Sequence, residues 1–361
     1  MTSLFDPLTF PHGPALKNRL VMAPITNMQS HDDGTLSDDE YNWLCLRAQA
    51  GFGLTMTCGA YVQAGGKGFP GQLGIHSDAM LPGLTRFAAG LKKEGTLAIM
   101  QLIHGGMRAS EELTGEQPVS ASEQEKFGAR ALEIPEIEQI VEDFVLAALR
   151  AQKAGFDGAQ VHGAHGYLLC QMLSPELNRR KDAYGGSLEN RARPIFDIVK
   201  GIRERCGPDF NISVRLSPER FGMDLGEIIT VAKRLLDDKL IDFLDMSLWD
   251  ATKEPEDEKY KGRSLMSYFT ELDRGHIRLA VAGKIRTAAD AQDALDNGAD
   301  LAMIGRAAIL HHDFVAQIQA NPAFTPATLP VSRKYLKKEG LNETFIDYMA
   351  TWDGFVSAEE E

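Results

Sequence analysis

Eight short apolar runs, each followed by a longer stretch with helical spacing, constrain this chain more than any other feature. The runs predict strands at Arg19–Pro24, Leu54–Cys58, Leu97–Ile103, Gly158–Val161, Ile212–Leu216, Phe243–Ser247, Leu279–Ala282 and Leu301–Ile304. Near-continuous apolar character is what a parallel strand covered on both faces requires. Between them, Glu138–Ala154 repeats apolar residues at Ile140, Val141, Phe144, Val145, Ala148 and Leu149, a helical period. Pro194–Arg205 and Glu227–Asp238 read the same way, and Ala288–Asn297 stops at Asn297-Gly298. Such alternation builds either a closed barrel or a large doubly wound sheet. Spacing that stays regular into the last third, and the lack of a GxGxxG turn in Asn18–Pro24, favour one α/β domain. The expected fold is a (β/α)₈ TIM barrel over 1–361, with its active site at the C-terminal ends of the strands.

Two long segments interrupt the pattern, 105–137 after the third strand and 249–268 after the sixth. The second carries the charge run KEPEDEKYKGR, which reads as a solvated loop or as a lid. A C-terminal helix is expected at about 332–352, and Glu359–Glu361 as a frayed tail.

A length of 361 residues and a formal charge of −13 bound the function. An acidic surface repels phosphate backbones and anionic lipid headgroups, so neither nucleic acid nor membrane is the expected partner. Cys45, Cys58, Cys170 and Cys206 contain no CxxC spacing, which argues against an iron–sulfur or structural zinc site and for a reducing, cytoplasmic setting. The N-terminus lacks a basic segment followed by an apolar run, and no uninterrupted apolar stretch of membrane-spanning length occurs. A small-molecule substrate is the expected partner, with homo-oligomerisation left open.

Reactive side chains are densest at the end of the fourth strand, His162-Gly-Ala-His165-Gly-Tyr167. Two neutral imidazoles can donate hydrogen bonds to one substrate oxygen. A tyrosine, with an ordinary pKa of about 10, is protonated at neutral pH and can act as a general acid. The same spacing also suits a metal pair or satisfied polar groups. The polar, glycine-rich stretch from Leu173 to Arg193 reads as structure: Ser187 caps a helix, and Arg180, Asp182 and Arg193 knit the loop.

Arg215 lies inside the apolar fifth strand and needs an anionic partner, either an Asp or Glu elsewhere or a bound cofactor. The seventh and eighth strands end at Gly283 and at Gly305-Arg306. Glycines there let backbone N–H groups approach a phosphate, and Arg306 can pair with it. Thr26 and Gln101 are polar groups near strand ends, suited to the edge of a planar heterocycle.

These segments resemble the Old Yellow Enzyme family of FMN-dependent ene-reductases, from Leu4 to about Phe314. The most specific pieces are HGAHGYLLCQMLSPELNRRKDAYGGSLENRAR, MAPIT, SVRLSP and MIGRAAI. The resemblance implies tightly bound FMN, NADPH or NADH as reductant, no metal, and ping-pong reduction of activated C=C bonds in enones and nitroalkenes. It implies that His162 and His165 bind the activating oxygen and that Tyr167 protonates the α-carbon. Ala23, Pro24, Ile25 and Ala60 would contact the flavin, Thr26 its O4 region, Gln101 its pyrimidine edge and Arg215 its N1/O2 side. Gly283, Gly305 and Arg306 would hold the phosphate.

The chain departs from the family pattern in three places. Met107 stands where an Arg is common, with Arg108 one later; Pro194 replaces a common aromatic; Met28 replaces a substrate-pocket Tyr of some members. Absence of a cysteine cluster predicts that this chain lies outside the subgroup with an iron–sulfur site and a second nucleotide domain. A dehydrogenase or demethylase on the same scaffold, or a non-redox phosphate-binding barrel lyase or isomerase, are the alternatives.

Overall fold

A computed structural model describes residues 2–358; Glu359–Glu361, read above as a tail, lies outside them. Eight parallel strands close a barrel: β1 (Leu20–Met22), β2 (Leu54–Met56), β3 (Leu97–Ile103), β4 (Gly158–Gly163), β5 (Asn211–Leu216), β6 (Phe243–Ser247), β7 (Arg278–Ala282) and β8 (Leu301–Ile304). Each pairs with the next, and β1 pairs with β8 to close the ring. A two-residue strand, Ala60–Tyr61, adds to β3 at its Leu102–Ile103 end.

Side chains alternate across a strand, and this alternation separates two cores. The outward set, such as Met100, Val161, Val214 and Leu244, packs under the surrounding helices. The inward set begins, at the floor, as an apolar plug of Leu54, Ile99, Phe243 and Leu301, stoppered by Phe10 and Leu16 from the N-terminal segment. Higher in the barrel the same inward positions become Gln101, Gln160, His162, Arg215 and Asp245, all buried. The register sets His162 beside Arg215 and Arg215 beside Asp245.

The longer helices are α1 (Asp38–Gln49), α2 (Leu81–Lys92), α3 (Ile134–Ala154), α4 (Leu188–Cys206), α5 (Leu225–Asp238) and α6 (Ala288–Asp296). Three boundaries differ from the sequence expectation. Helix α3 starts at Ile134, inside the expected 105–137 loop, because Glu133 and Glu136 form a capping box and Pro135 fits the first turn. Helix α4 starts at Leu188, earlier than the Pro194 read from the apolar period, because Ser187 is the helix cap expected from the sequence, its side chain accepting from the Asn190 N–H. Pro194 therefore sits inside the helix, buried. The expected helix at 332–352 is two helices, α7 (Arg333–Lys338) and α8 (Glu343–Ala350), broken at Gly340 with φ +84°.

This C-terminal pair is fastened to the barrel by buried Arg47 of α1, which donates to the carbonyls of Trp43, Ala308 and Glu339. Trp43 also meets Phe345 edge-on at 5.3 Å. The expected knitting of the 173–193 stretch is present: Arg180 pairs with Asp182, and Arg193 donates to the Ala183 carbonyl and to Asn190.

Candidate active site

Three adjoining cavities open at the C-terminal ends of the strands. The first, about 580 Å³, is lined by Pro24, Thr26, Gly59, Phe69, Gln101 and Ile103, by the trio His162, His165 and Tyr167, by Arg108, Arg215 and Arg220, and by Phe221, Trp249, Tyr348 and Trp352. The second, about 250 Å³, shares Pro24, His165, Arg215, Trp249 and Trp352 with the first and continues to Ala23, Ile25, Gly283, Lys284, Arg286, Gly305 and Arg306. The third, a bay of about 420 Å³, branches off through Thr26, Phe69, Arg108, Tyr167 and Tyr348 and is otherwise walled by Met28, Met107 and Phe127, among others.

Backbone strain marks the same place independently. Among the described residues, seven other than glycine hold a left-handed φ: Met28, His165, Arg220, Phe221, Lys239, Trp249 and Lys284. All but Lys239, which ends α5, line these cavities. Such conformations cost on the order of 1–3 kcal/mol each and persist only where the surroundings enforce them.

His162 and His165 stand with ring centres 5.0 Å apart, and Tyr167 lies 5.6 Å from His162. Burial, reinforced by the charges of His165 and Arg215, holds His162 well below the ordinary histidine range. Burial, then Arg215 and Arg108, pull His165 down to about 3. Both imidazoles are therefore neutral at any ordinary pH. Burial pushes the Tyr167 phenol up to about 12, so it keeps its proton. Among the described residues no group of three or more His, Cys, Asp or Glu side chains is placed to hold a metal ion.

His165 is fixed by two serines that sequence reasoning missed. Ser217 Oγ accepts from its backbone N–H at 3.1 Å, and Ser247 Oγ lies 2.8 Å from its Nε2. Only the other ring nitrogen remains for a ligand. His162 Nδ1 is buried without a hydrogen-bond partner among the described residues.

Of the two partners expected for Arg215, a protein carboxylate is present. Asp245 Oδ2 lies 3.2 Å from Arg215 Nε. A chain of hydrogen bonds continues from Gln101 Nε2 to Gln160 Oε1 at 2.8 Å, then from Gln160 Nε2 to Asp245 Oδ2 at 3.1 Å. Yet Arg215 Nε and Asp245 Oδ1 remain without a hydrogen-bond partner. Burial raises Asp245 to about 6, with Arg215 and Gln160 pulling it back. An acid in the apolar run FLDMS was readable by the logic applied to Arg215.

The remaining predicted residues divide between the cavities. Thr26 and Gln101 face the first; Ala23, Ile25, Gly283, Gly305 and Arg306 face the second; Met28 faces the bay. Ala60 faces none of them. It is fully buried in the short strand beside β3, and the preceding Gly59 lines the first cavity instead. A Cβ on Gly283 would strike the backbone of Asp250 and Ala251 at under 3 Å, whereas one on Gly305 would meet no atom within 4 Å. Burial, then repulsion from Arg286, lowers Arg306, which lacks a carboxylate partner among the described residues.

Phe221, Trp249, Tyr348 and Trp352 carried no sequence signal. Trp249, from the 249–268 segment, is 57% exposed and stacks under Arg220 at 4.1 Å. The charges of that segment lie mainly at the surface, apart from Lys253 paired with Glu219 and Glu256. No helix among the described residues is long and apolar enough to cross a membrane.

The NADH:flavin oxidoreductase / NADH oxidase family matches residues 3–323. The chain is 35% identical over 327 residues to the probable NADH-dependent flavin oxidoreductase YqiG of Bacillus subtilis, covering 88% of this chain and 87% of that one. It is 35% identical over 315 residues to the NADPH dehydrogenase of Bacillus pumilus, covering 84% and 90%. The old yellow enzyme homologue of Zymomonas mobilis superposes with a TM-score of 0.79 at 30% identity, covering 94% of this chain and 99% of that one.

Proposed function

This chain belongs to the NADH:flavin oxidoreductase / NADH oxidase family, the family of the old yellow enzymes, and from that premise we propose that it reduces the activated C=C bonds of enones and nitroalkenes. It is an oxidoreductase that uses FMN and a nicotinamide dinucleotide. Membership removes the non-redox lyase or isomerase alternative.

The fit to FMN rests on unsatisfied atoms. Arg215 and Asp245 form an ion pair, yet Arg215 Nε and Asp245 Oδ1 are buried without a hydrogen bond among the described residues, and Arg306 and Arg286 face a cavity with no carboxylate on them. Burying a charged group without partners is costly, so a polar heterocycle and a phosphate would satisfy both sets. Gln101 and Arg215 would hold the edge of the heterocycle, Ala23, Pro24, Ile25 and Thr26 would contact it, and Gly283, Gly305 and Arg306 would hold the phosphate. When bound, FMN supplies the hydride chemistry between NAD(P)H and the alkene.

The residues of the chain supply the rest. His162 and His165, both neutral, donate N–H groups to the carbonyl or nitro oxygen and stabilise the negative charge that develops on it. Ser247 and Ser217 orient His165 for this. Tyr167, protonated up to about pH 12, gives its proton to the α-carbon. The observation that carries the reading is this neutral pair beside a protonated phenol on one wall of a 580 Å³ cavity. Reductant and alkene use that one cavity in turn, so the kinetics are ping-pong.

The test is anaerobic stopped-flow. The yellow holoenzyme should bleach with NADH or NADPH and regain colour with enones or nitroalkenes, and double-reciprocal plots should run parallel. Bleaching by amines, with no reoxidation by any alkene, would replace the reading with the dehydrogenase or demethylase one.

A further inference from the structure

The cavities are cationic in a chain whose formal charge is −13. Arg108, Arg215 and Arg220 line the first, and Arg215, Lys284, Arg286 and Arg306 the second, while neither these nor the bay has an Asp or Glu in its wall. Most of this charge has an assignment. Arg215 stands against Asp245, Lys284 against Asp250, and Arg286 and Arg306 at the proposed phosphate site. Arg108 and Arg220 are left over, and among the described residues neither has a carboxylate within ion-pair distance. Glu256 and Glu219, the carboxylates near Arg220, are both paired with Lys253.

Both side chains are held in place. Arg108 Nε donates to the Gly166 carbonyl at 3.1 Å, and its guanidinium carbon lies 5.5 Å from the Tyr167 ring and 5.9 Å from the Phe221 ring. No protein acceptor meets its two terminal nitrogens among the described residues. Arg220 and Phe221 are consecutive residues with φ of +66° and +53°, and Arg220 lies 4.1 Å above Trp249. The bend carries a conformational cost, and Arg220 shares the wall of the first cavity with Arg108 and Phe221. Arg108 also stands where the first cavity opens into the bay, whose wall sets the apolar Met28, Phe69, Met107 and Phe127 beside the polar Thr26, Ser110 and Tyr167.

We infer that the alkene acceptor carries an anionic group, a carboxylate or phosphate, remote from its activating group, and that Arg108 with Arg220 binds this group while an apolar body fills the bay. The inference rests on the ene-reductase reading: the activating oxygen goes to His162 and His165, and the anionic end passes Tyr167. Arg108 selects the substrate rather than moving a proton.

The probes are 4-carboxy-β-nitrostyrene and its methyl ester, with FMN-loaded enzyme. The wild type should favour the acid in kcat/KM, and this preference should fall as ionic strength rises. In Arg108→Gln the acid-to-ester ratio should fall about tenfold, as expected for a charge-assisted hydrogen bond at a partly exposed site. Arg108→Lys should keep most of it, and Arg220→Gln should lower it less. Any disturbance of Tyr167 affects both probes and cancels in the ratio. The Kd of NADPH and NADH in the flavin-reduction step should change less than twofold in Arg108→Gln.

An equal ratio in wild type and Arg108→Gln overturns the inference while leaving the ene-reductase reading intact, because the ester is still reduced. A loss confined to NADPH or NADH binding overturns it as well and assigns the arginine to the reductant. If neither probe is reduced, the ene-reductase reading fails. Titration of the saturated nitroalkane acid and ester, followed by the visible flavin band, then decides the anion site by itself: equal Kd values for acid and ester overturn it.

Discussion

The floor and the mouth of this barrel use the same inward-facing positions in opposite ways. At the floor, Leu54, Ile99, Phe243 and Leu301 meet Phe10 and Leu16 in an apolar plug. Two residues further along β3 and β6, Gln101 and Asp245 join Gln160 of β4 and Arg215 of β5 in a buried polar chain. The floor gains about 25 cal/mol per Å² of apolar surface buried, and hydrogen bonds from the His12 N–H to Asp242 and from Asn211 to the His12 carbonyl fasten the N-terminal segment over it. The mouth gives up that gain, keeps unsatisfied atoms, and holds most of the strained backbone. The contrast teaches that stability is concentrated at one end and ligand affinity at the other.

The sharpest way to break this contrast is Asp245→Leu. It leaves the Arg215 charge buried without a counter-charge, and the protein without FMN should lose about 3–5 kcal/mol. Denaturant melts with and without FMN would measure it; an unchanged midpoint would show that the mouth is not the costly end. At the floor, Phe10→Ala should cost about 3 kcal/mol through the cavity it leaves against Phe243. Its FMN affinity and visible spectrum should not change, and a shifted spectrum would mean that the two ends are coupled.

Tyr167→Phe should slow alkene reduction about a hundredfold or more, the scale of general acid catalysis. Stopped-flow should find flavin reduction by NAD(P)H within a few-fold of wild type, and equal slowing of both steps removes the proton-donor role. The pH dependence of stability isolates Asp245. Folded, it keeps its proton up to about pH 6; unfolded, it releases it near 4. The folded state binds more proton in between, so this group makes stability fall as pH rises through that window, by at most about 1.4 kcal/mol per pH unit. Asp245→Asn should flatten that part of the profile in melts of the protein without FMN. The smallest effect is expected from Ser187→Ala, about 1 kcal/mol through loss of the α4 cap, with alkene reduction untouched.

Much of the barrel was readable locally because buried parallel strands and their helices have strong periods. The limits of β3, β6 and β8 fall where the apolar runs begin and end. The Ser187 cap was readable from its position after a glycine turn, whereas the Glu133/Glu136 capping box was not, since its two hydrogen bonds leave no trace in the apolar period. Ala60 was carried over by motif position, and its neighbour Gly59 turned out to face the cavity, because successive residues of an extended segment face opposite sides.

By itself the sequence determined the strand ends, and with them the neighbourhood of His162, His165, Tyr167, Thr26, Gln101, Arg215, Gly283, Gly305 and Arg306. Each of these is fixed within a few residues by local pattern. Only the tertiary structure decided that Asp245 answers Arg215, that Ser247 and Ser217 hold His165, and that Tyr348 and Trp352 return from the C-terminal helices to wall the mouth. Those contacts span tens to hundreds of residues of chain, and closing such loops depends on the register of the whole barrel and on Arg47, not on any short-range preference.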